Sequence, residues 1–251
     1  MKTGLVSISF RSLEPVEIAD MVSKAGLDAI EWGGDIHVPH GDIKKAQEAK
    51  SICDDRGITC PSYGSYYKIG EYKEPEKVFK DVLDCAEILG SKIIRVWAGV
   101  IPSLESNDSH FRRIADELKR LCNWASLRDI GVALEFHANT LTDTADGTKK
   151  LLEYVNEGNL TTYWQPPVDR SPEDNLNDIE KLNGKISNIH VFTWKSRERL
   201  ELMKGYQDWV RYLGKIGDNA DRHCLLEFVM NDSPGIFLKD AVTLKTLVGL
   251  F

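Results

Sequence analysis

Short apolar runs alternate with amphipathic helical segments along the whole chain. Several runs are apolar on consecutive residues, which is typical of parallel strands that are covered on both faces. The segments between them repeat apolar residues every three or four positions, which predicts helices that pack one face on a core. Helices are expected at 15–25, 75–89 and 111–128, and strands at 4–9, 29–32, 59–63, 92–97, 131–136, 161–165, 186–192 and 224–229.

Eight strand–helix units in 251 residues average about 31 residues each, as in a (β/α)8 barrel of about 250 residues. The alternative is a doubly wound open sheet, which usually carries an early glycine-rich turn. The sequence has neither GxGxxG nor GxxxxGK[ST], and this favours the barrel. Because no linker or change of composition interrupts the pattern, we expect one (β/α)8 domain over residues 1–251.

The charge of the chain bears on its partners. The formal net charge is -7, and a general nucleic-acid binder would show a basic stripe instead. An anionic substrate stays possible, since a local basic pocket can form in an acidic protein. We therefore expect a small-molecule partner and no nucleic acid.

The cysteines and the apolar stretches bear on the compartment. Five widely spaced cysteines without a CxxC pair predict reduced thiols. No apolar stretch approaches the roughly 18 residues of a membrane span, and the start of the chain has no signal-peptide pattern. These features predict a cytoplasmic protein without a membrane partner; the cysteines are Cys53, Cys60, Cys85, Cys122 and Cys224.

Four successive predicted strands carry a ligand-capable residue at or near their carboxyl ends: Glu135, Gln165, His190 and Glu227. In a (β/α)8 barrel the active site lies at the carboxyl ends of the strands. Two carboxylates, an imidazole and an amide oxygen form a plausible set of ligands for Mn²⁺, Mg²⁺, Co²⁺ or Zn²⁺. The two glutamates could also work as an acid–base pair without a metal.

Several segments together resemble the xylose isomerase-like barrel family of sugar and sugar-phosphate isomerases and epimerases. Residues 26–32 (GLDAIEW) resemble its second strand, and residues 86–96 (AEILGSKIIRV) resemble the junction that leads into its fourth. The remaining likenesses span most of the chain and lie at 131–137 (GVALEFH), 189–191 (IHV), 205–209 (GYQDW) and 226–227 (LE).

The resemblance implies roles for the strand-end residues. Family members hold a divalent metal with Glu, Asp, His and Glu, which correspond to Glu135, Gln165, His190 and Glu227. The two glutamates would then be the catalytic residues that move the substrate proton. Gln165 departs from the usual Asp and removes one negative charge, so the resemblance predicts weaker or altered metal binding. Homo-oligomers are common in the family and are possible here.

A second likeness concerns residues 135–143 (EFHANTLTD), which resemble the corresponding segment of 3-dehydroshikimate dehydratases. In those enzymes the histidine two residues after the glutamate lines the substrate pocket. His137 is therefore a candidate for contact with substrate.

Further pocket candidates lie at or just after strand ends. Aromatic faces stack on the apolar side of sugar rings, and cationic side chains meet phosphates or carboxylates. The alternative for each is packing at the top of the barrel, or simple exposure to solvent. The substrate-binding candidates besides His137 are Trp32, His37, Tyr66, Trp97, Trp194 and Lys195.

The first functional hypothesis is a sugar or sugar-phosphate isomerase or epimerase. A glutamate would abstract a proton beside a carbonyl to give an enediolate, with a metal polarising the oxygens. The second hypothesis is a lyase that dehydrates a polyol-derived keto acid by the same first step. A third is a sugar-binding barrel without catalysis, which the Gln165 departure favours. Endonuclease activity fits poorly with the acidic charge.

Overall fold

A computed structural model of the chain describes residues 1–217 and 219–251. Eight parallel strands form a closed barrel, in which the order of the strands follows the chain and the first strand pairs with the last. Two further strands form a separate antiparallel hairpin. The strands are β1 (Lys2–Val6), β2 (Ala29–Gly33), β3 (Ser62–Lys68), β4 (Ile93–Trp97), β5 (Gly131–Leu134), β6 (Leu160–Trp164), β7 (Ile186–Val191), the hairpin β8 (Thr193–Lys195) and β9 (Glu198–Leu200), and β10 (His223–Leu226).

Helices connect the barrel strands and surround them. Proline in the first turn fits the start of several helices, because the missing N–H would have no partner there, and Gly26 ends the first helix in the left-handed region with a φ of 65°. The helices are α1 (Pro15–Ala25), α2 (Ile43–Asp54), α3 (Pro75–Leu89), α4 (Asp108–Ser126), α5 (Ala145–Val155), α6 (Pro172–Leu182), α7 (Tyr206–Ile216) and α8 (Pro234–Val248).

The closed sheet confirms the predicted (β/α)8 barrel and excludes the doubly wound alternative. Three predicted strands have clearly different bounds in the structure, and the last of them ends at Leu226 rather than at 229. The first ends at Val6, because the chain turns into a 3-10 helix over Ser7–Phe10, and the third begins at Ser62 rather than Thr59. The β8–β9 hairpin was not expected, since its three-residue strands are too short to give a periodic signal.

The alternation of side chains along each strand separates two cores. Ile30 and Trp32 pack outward in the large core between strands and helices. Inside the barrel a smaller apolar cluster includes Ala133, Tyr163 and Leu225. Residues two positions further along these strands face the same way, so Glu135, Gln165 and Glu227 lie above this cluster.

The helices also bear on membrane association. Within the part of the chain that the structure describes, no helix combines the length and the apolar character that a membrane crossing requires.

Candidate active site

The structure brings the four strand-end residues together at the carboxyl end of the barrel. All are buried, with His190 0% exposed. His190 lies at the centre: its Nδ1 is 2.8 Å from Oε1 of Gln165, 3.3 Å from Oε2 of Glu227 and 3.9 Å from Oε1 of Glu135. Three oxygen atoms from three other strands thus lie within 3.9 Å of this one nitrogen.

This arrangement fits a divalent cation. When ligand atoms are bonded to one ion at about 2.1 Å, adjacent ligands lie about 3 Å apart and opposite ligands lie about 4 Å apart. Ligand atoms of Glu135, His190 and Glu227 lie within 4.8 Å of one another. Oε2 of Glu227 is buried without a hydrogen-bond partner, and a buried carboxylate oxygen normally has one. The group could therefore hold a metal ion, with the amide oxygen of Gln165 as a fourth ligand.

Glu31 is a central member of the site that the sequence reasoning did not identify. Its side chain is 0% exposed. It accepts hydrogen bonds from Ser62 Oγ at 2.7 Å, Tyr163 Oη at 2.7 Å and Arg95 Nε at 2.8 Å, and it lies 3.4 Å from Nε2 of His190. The sequence did contain a signal for Glu31: it is a carboxylate near the end of an apolar predicted strand, as Glu135 is.

Arg95 is the second residue that was missed, and it links two of the carboxylates. Its Nε donates to Glu31 and its Nη1 donates to Oε2 of Glu135. The guanidinium is 1% exposed. Gly64 makes room for it, because a Cβ there would lie 2.6 Å from Nη2 of Arg95. A charged residue inside the apolar run 93–96 was the signal in the sequence.

The charges of the site shift its pKa values. Burial raises the pKa of Glu31, but Arg95 and the hydrogen bonds lower it by more, so the carboxyl stays ionised. Burial lowers the pKa of Arg95, and Glu31 and its other anionic neighbours raise it above its usual range. For His190, burial lowers the pKa, while Glu227 and Glu31 produce a net increase.

Trp97 and His137 extend the site toward solvent. Nε1 of Trp97 donates to Oε2 of Glu135 at 2.5 Å. The ring of His137 stacks on that of Trp97 with centroids 4.4 Å apart, and its Nδ1 donates to the carbonyl of Ala138 at 2.6 Å. Burial lowers the pKa of His137, so the imidazole is neutral at pH 7 and Nε2 carries the lone pair.

Tyr66 forms another wall of this mouth. It sits at a break in the register between β3 and β4, with a φ of 57°. Its ring is 5.7 Å from that of Trp97 and 5.3 Å from the guanidinium of Arg95. A tyrosine in the left-handed region carries backbone strain, which is often concentrated at functional sites.

Two substrate-binding candidates lie elsewhere. Trp32 is fully buried in the helix-facing core, because the alternation that turns Glu31 inward turns Trp32 outward. His37 is 5% exposed, and its Nδ1 lies 2.9 Å from Oγ of Ser7. Its ring packs edge-on against Trp32. We therefore leave both residues out of the proposed substrate site.

The last two candidates belong to the hairpin after β7. Trp194 is half-buried and packs edge-on against Phe192 and Phe228. Lys195 is exposed. Both line a cavity beside the barrel mouth, which none of the four strand-end residues lines.

Comparison with known proteins gives concordant matches. The family described as "Xylose isomerase-like TIM barrel" matches residues 19–246. A 3-dehydroshikimate dehydratase of Bacillus anthracis is 27% identical over 218 residues, which cover 81% of this chain and 76% of the relative.

Solved structures share the fold. A probable 3-DHS dehydratase involved in petrobactin synthesis in Bacillus anthracis superposes with a TM-score of 0.82 at 20% identity, covering 98% of this chain and 99% of the other. A D-psicose 3-epimerase of Clostridium cellulolyticum H10, solved with D-tagatose, gives a TM-score of 0.72 at 15% identity, with 98% of each chain covered.

Proposed function

The chain belongs to the xylose isomerase-like TIM barrel family, and from this premise we propose that it is a lyase that removes water from a cyclic, hydroxylated keto acid. One observation carries the proposal: the imidazole of His137 stands at the mouth, stacked on Trp97, with Nδ1 on the carbonyl of Ala138. The resemblance to a dehydratase over most of the chain supports the same reaction class.

His137 is the proposed general base. A base of pKa near or below 7 that keeps a free lone pair on one nitrogen is suited to abstracting a proton next to a carbonyl. Stacking on Trp97 fixes the plane of the ring, and the bond from Nδ1 fixes the tautomer. Nε2 then takes the proton, and the electrons of the broken C–H bond form the C=C bond of an enolate.

The second step expels the hydroxyl group. The electrons of the enolate form a new C=C bond to the neighbouring carbon, the carbonyl re-forms, and the C–O bond of the β-hydroxyl breaks. The imidazolium of His137 returns its proton to the departing hydroxyl, which leaves as water. The histidine is thereby restored, and no external oxidant or reductant takes part.

The strand-end cluster would stabilise the substrate oxygens. A divalent cation held by Glu135, Gln165, His190 and Glu227 would polarise the carbonyl as a Lewis acid. Oε2 of Glu135 already accepts from Arg95 and Trp97, so this carboxylate is better suited to hold a ligand in place than to abstract a proton. We therefore assign Glu135 and Glu227 to the metal site in the lyase.

An isomerase or epimerase is the second candidate, and one observation favours it. Glu135 and Glu227, from two different strands, both lie close to Nδ1 of His190, at 3.9 and 3.3 Å. Two carboxylates that flank a bound ketose could remove a proton and return it on the other face or at the next carbon. In that reaction the glutamates, and not His137, are the catalytic residues.

One experiment separates the two candidates. The purified protein is incubated with 3-dehydroshikimate and, separately, with a panel of ketoses in deuterated water, each with and without added Mn²⁺, Mg²⁺, Co²⁺ or Zn²⁺. If the protein is the lyase, 3-dehydroshikimate should give an aromatic product with a new ultraviolet absorbance. The epimerase predicts deuterium at a carbon of a ketose without any absorbance change.

His137→Gln and Glu227→Gln provide the matched variants. Loss of the aromatic product in His137→Gln, with an unchanged far-ultraviolet spectrum, supports the lyase. Deuterium exchange into a ketose that persists in His137→Gln but disappears in Glu227→Gln supports the epimerase. If no compound gives an aromatic product or deuterium exchange, both enzyme candidates are contradicted and the sugar-binding barrel is the remaining hypothesis.

A further inference from the structure

A cavity of about 580 Å³ opens between the loop after β6 and the β8–β9 hairpin. It adjoins the barrel mouth through Pro166, which follows Gln165, and Phe192, which lies two residues after His190. Phe192, Trp194 and Trp209 contribute aromatic wall. The cavity is therefore separate from the strand-end cluster but next to it.

The cationic groups that line this cavity outnumber its carboxylates. Arg170, Lys195 and Lys204 line it together with two acids, Asp169 and Asp208, and Asp178, just outside the lining, neutralises Arg170, so Lys195 and Lys204 carry the available positive charge. Arg170 pairs with Asp178 through Nη2 at 3.0 Å. Within residues 1–217 and 219–251, neither lysine has a carboxylate oxygen within 4.0 Å. An anionic group of a ligand could therefore pair with either lysine without displacing a carboxylate of the described part of the protein.

Buried polar atoms of the lining residues also lack partners. Nε of Arg170 and Nε1 of Trp194 are N–H donors without an acceptor, and Oδ1 of Asn175 is an acceptor without a donor. Asn175 is 2% exposed, and its Nδ2 donates to Tyr212 Oη at 3.0 Å. Leaving such a group unpaired costs about 1–3 kcal/mol, which a bound polar ligand would offset.

Gly205, at the junction between a 3-10 helix over Leu202–Gly205 and α7, also lines the cavity. Donors without acceptors, two lysines outside ion pairs among the described residues and an aromatic wall all point to a ligand that is both anionic and organic.

We propose that this cavity is a binding site for the oxyanion group, carboxylate or phosphate, of a small hydroxylated molecule. Lys195 and Lys204 provide the charge, Arg170 and Trp194 provide N–H donors, and Asn175 accepts from a ligand hydroxyl. The proposal does not depend on the reaction at the strand-end cluster, because direct binding tests it without catalysis.

The test is calorimetric titration of the full-length protein with three probes in one buffer at fixed ionic strength: inorganic phosphate, glycerate and glucose. We expect saturable binding of at least one anion and no binding of neutral glucose. The double variant Lys195→Ala/Lys204→Ala should weaken anion binding at least tenfold. Binding of phosphate alone identifies a phosphate ester as the ligand class, and binding of glycerate alone identifies a carboxylate.

Two control variants keep the result unambiguous. Lys215 lies on α7 and pairs with Glu180 at 3.1 Å, outside the cavity lining, so Lys215→Ala should bind the anion as the parent does. Glu227→Gln should also bind it unchanged, which would separate this site from the strand-end cluster. The proposal is overturned if neither anion binds saturably, if the double variant binds like the parent, or if Lys215→Ala loses as much affinity.

Discussion

Arg95 donates from Nε to the carboxylate of Glu31 at 2.8 Å, and both side chains are almost completely excluded from solvent. The pair lies inside the barrel, where Glu31 is also within 3.4 Å of His190 and Arg95 also binds Glu135. The charges of the candidate site are therefore positioned by one another, and removal of one group should affect the rest.

Glu31→Gln should destabilise the protein by about 3 kcal/mol, because it leaves the buried guanidinium of Arg95 with one anionic partner instead of two. The measurement is urea unfolding at pH 7, followed by circular dichroism. Glu48, which is exposed on α2, provides the matched control, and Glu48→Gln should change the free energy of unfolding by less than about 0.5 kcal/mol. Equal stability of the two variants would contradict the prediction.

Gly64→Ala should also destabilise the protein, by about 1–3 kcal/mol. The new Cβ would lie 2.6 Å from Nη2 of Arg95 and 3.0 Å from Oε1 of Glu31, two buried groups that are held to each other by a hydrogen bond. Gly158→Ala is the control, since a Cβ there meets nothing within 4 Å. Thermal unfolding of both variants gives the comparison, and a parent-like melting temperature for Gly64→Ala would argue against the close packing.

Gln165→Asp should strengthen binding of Mn²⁺ or Zn²⁺ by at least about tenfold, because it adds a negative charge to the set that contains Glu135, His190 and Glu227. Isothermal titration calorimetry measures the affinity directly. The same substitution at Gln47, exposed on α2, should leave the affinity unchanged. If Gln165→Asp binds no more tightly than the parent, the four residues do not form a metal site.

The proposed role of His137 predicts a pH profile. Burial lowers the pKa of this histidine, so the acidic limb of kcat/KM should have its midpoint below the usual histidine value of about 6.5. His137→Gln should lower kcat by about 10²–10⁴-fold and remove this acidic limb. A variant that loses activity but keeps the limb would assign the titration to another group and contradict the role of His137 as base.

The burial of His223 should make the free energy of unfolding depend on pH. Burial lowers the pKa of this histidine to about 4, below the value of about 6.5 in an unfolded chain. The unfolded state therefore binds the proton more readily between these values, and the free energy of unfolding falls as the pH drops from 6.5 to 4. Because the side chain is partly screened, we expect His223 to contribute about 2 kcal/mol of this fall.

His223→Gln tests this assignment. In urea unfolding from pH 4 to pH 7 the variant should show a shallower loss of stability on the acid side than the parent. His40→Gln is a useful comparison, because burial lowers the pKa of His40 as well, and a parent-like pH dependence in this variant would assign the effect to His223. An identical pH dependence of His223→Gln and the parent would remove His223 as the cause.

The local pattern of the sequence was sufficient for the barrel and for part of the site. Apolar runs of strand length, separated by segments with helical periodicity, require a parallel sheet covered by helices. Within that frame Glu135, Gln165, His190 and Glu227 each end a strand, and the strands of a parallel barrel end on one face. This is why residues up to 92 positions apart in the chain could be expected to meet.

Only the tertiary structure decided which side of each strand faces inward and which partners meet there. Glu31 and Trp32 are neighbours in an apolar strand, but pairing with β1 and β3 turns the carboxylate inward and the indole outward. Arg95 on β4 reaches Glu135 at the end of the neighbouring strand β5 and Glu31 on β2, two strands away, because strand register turns all three side chains into the closed barrel. The pattern of apolar and polar residues along the sequence does not show which side chains of different strands meet, because these contacts depend on the register of all eight strands in the closed barrel.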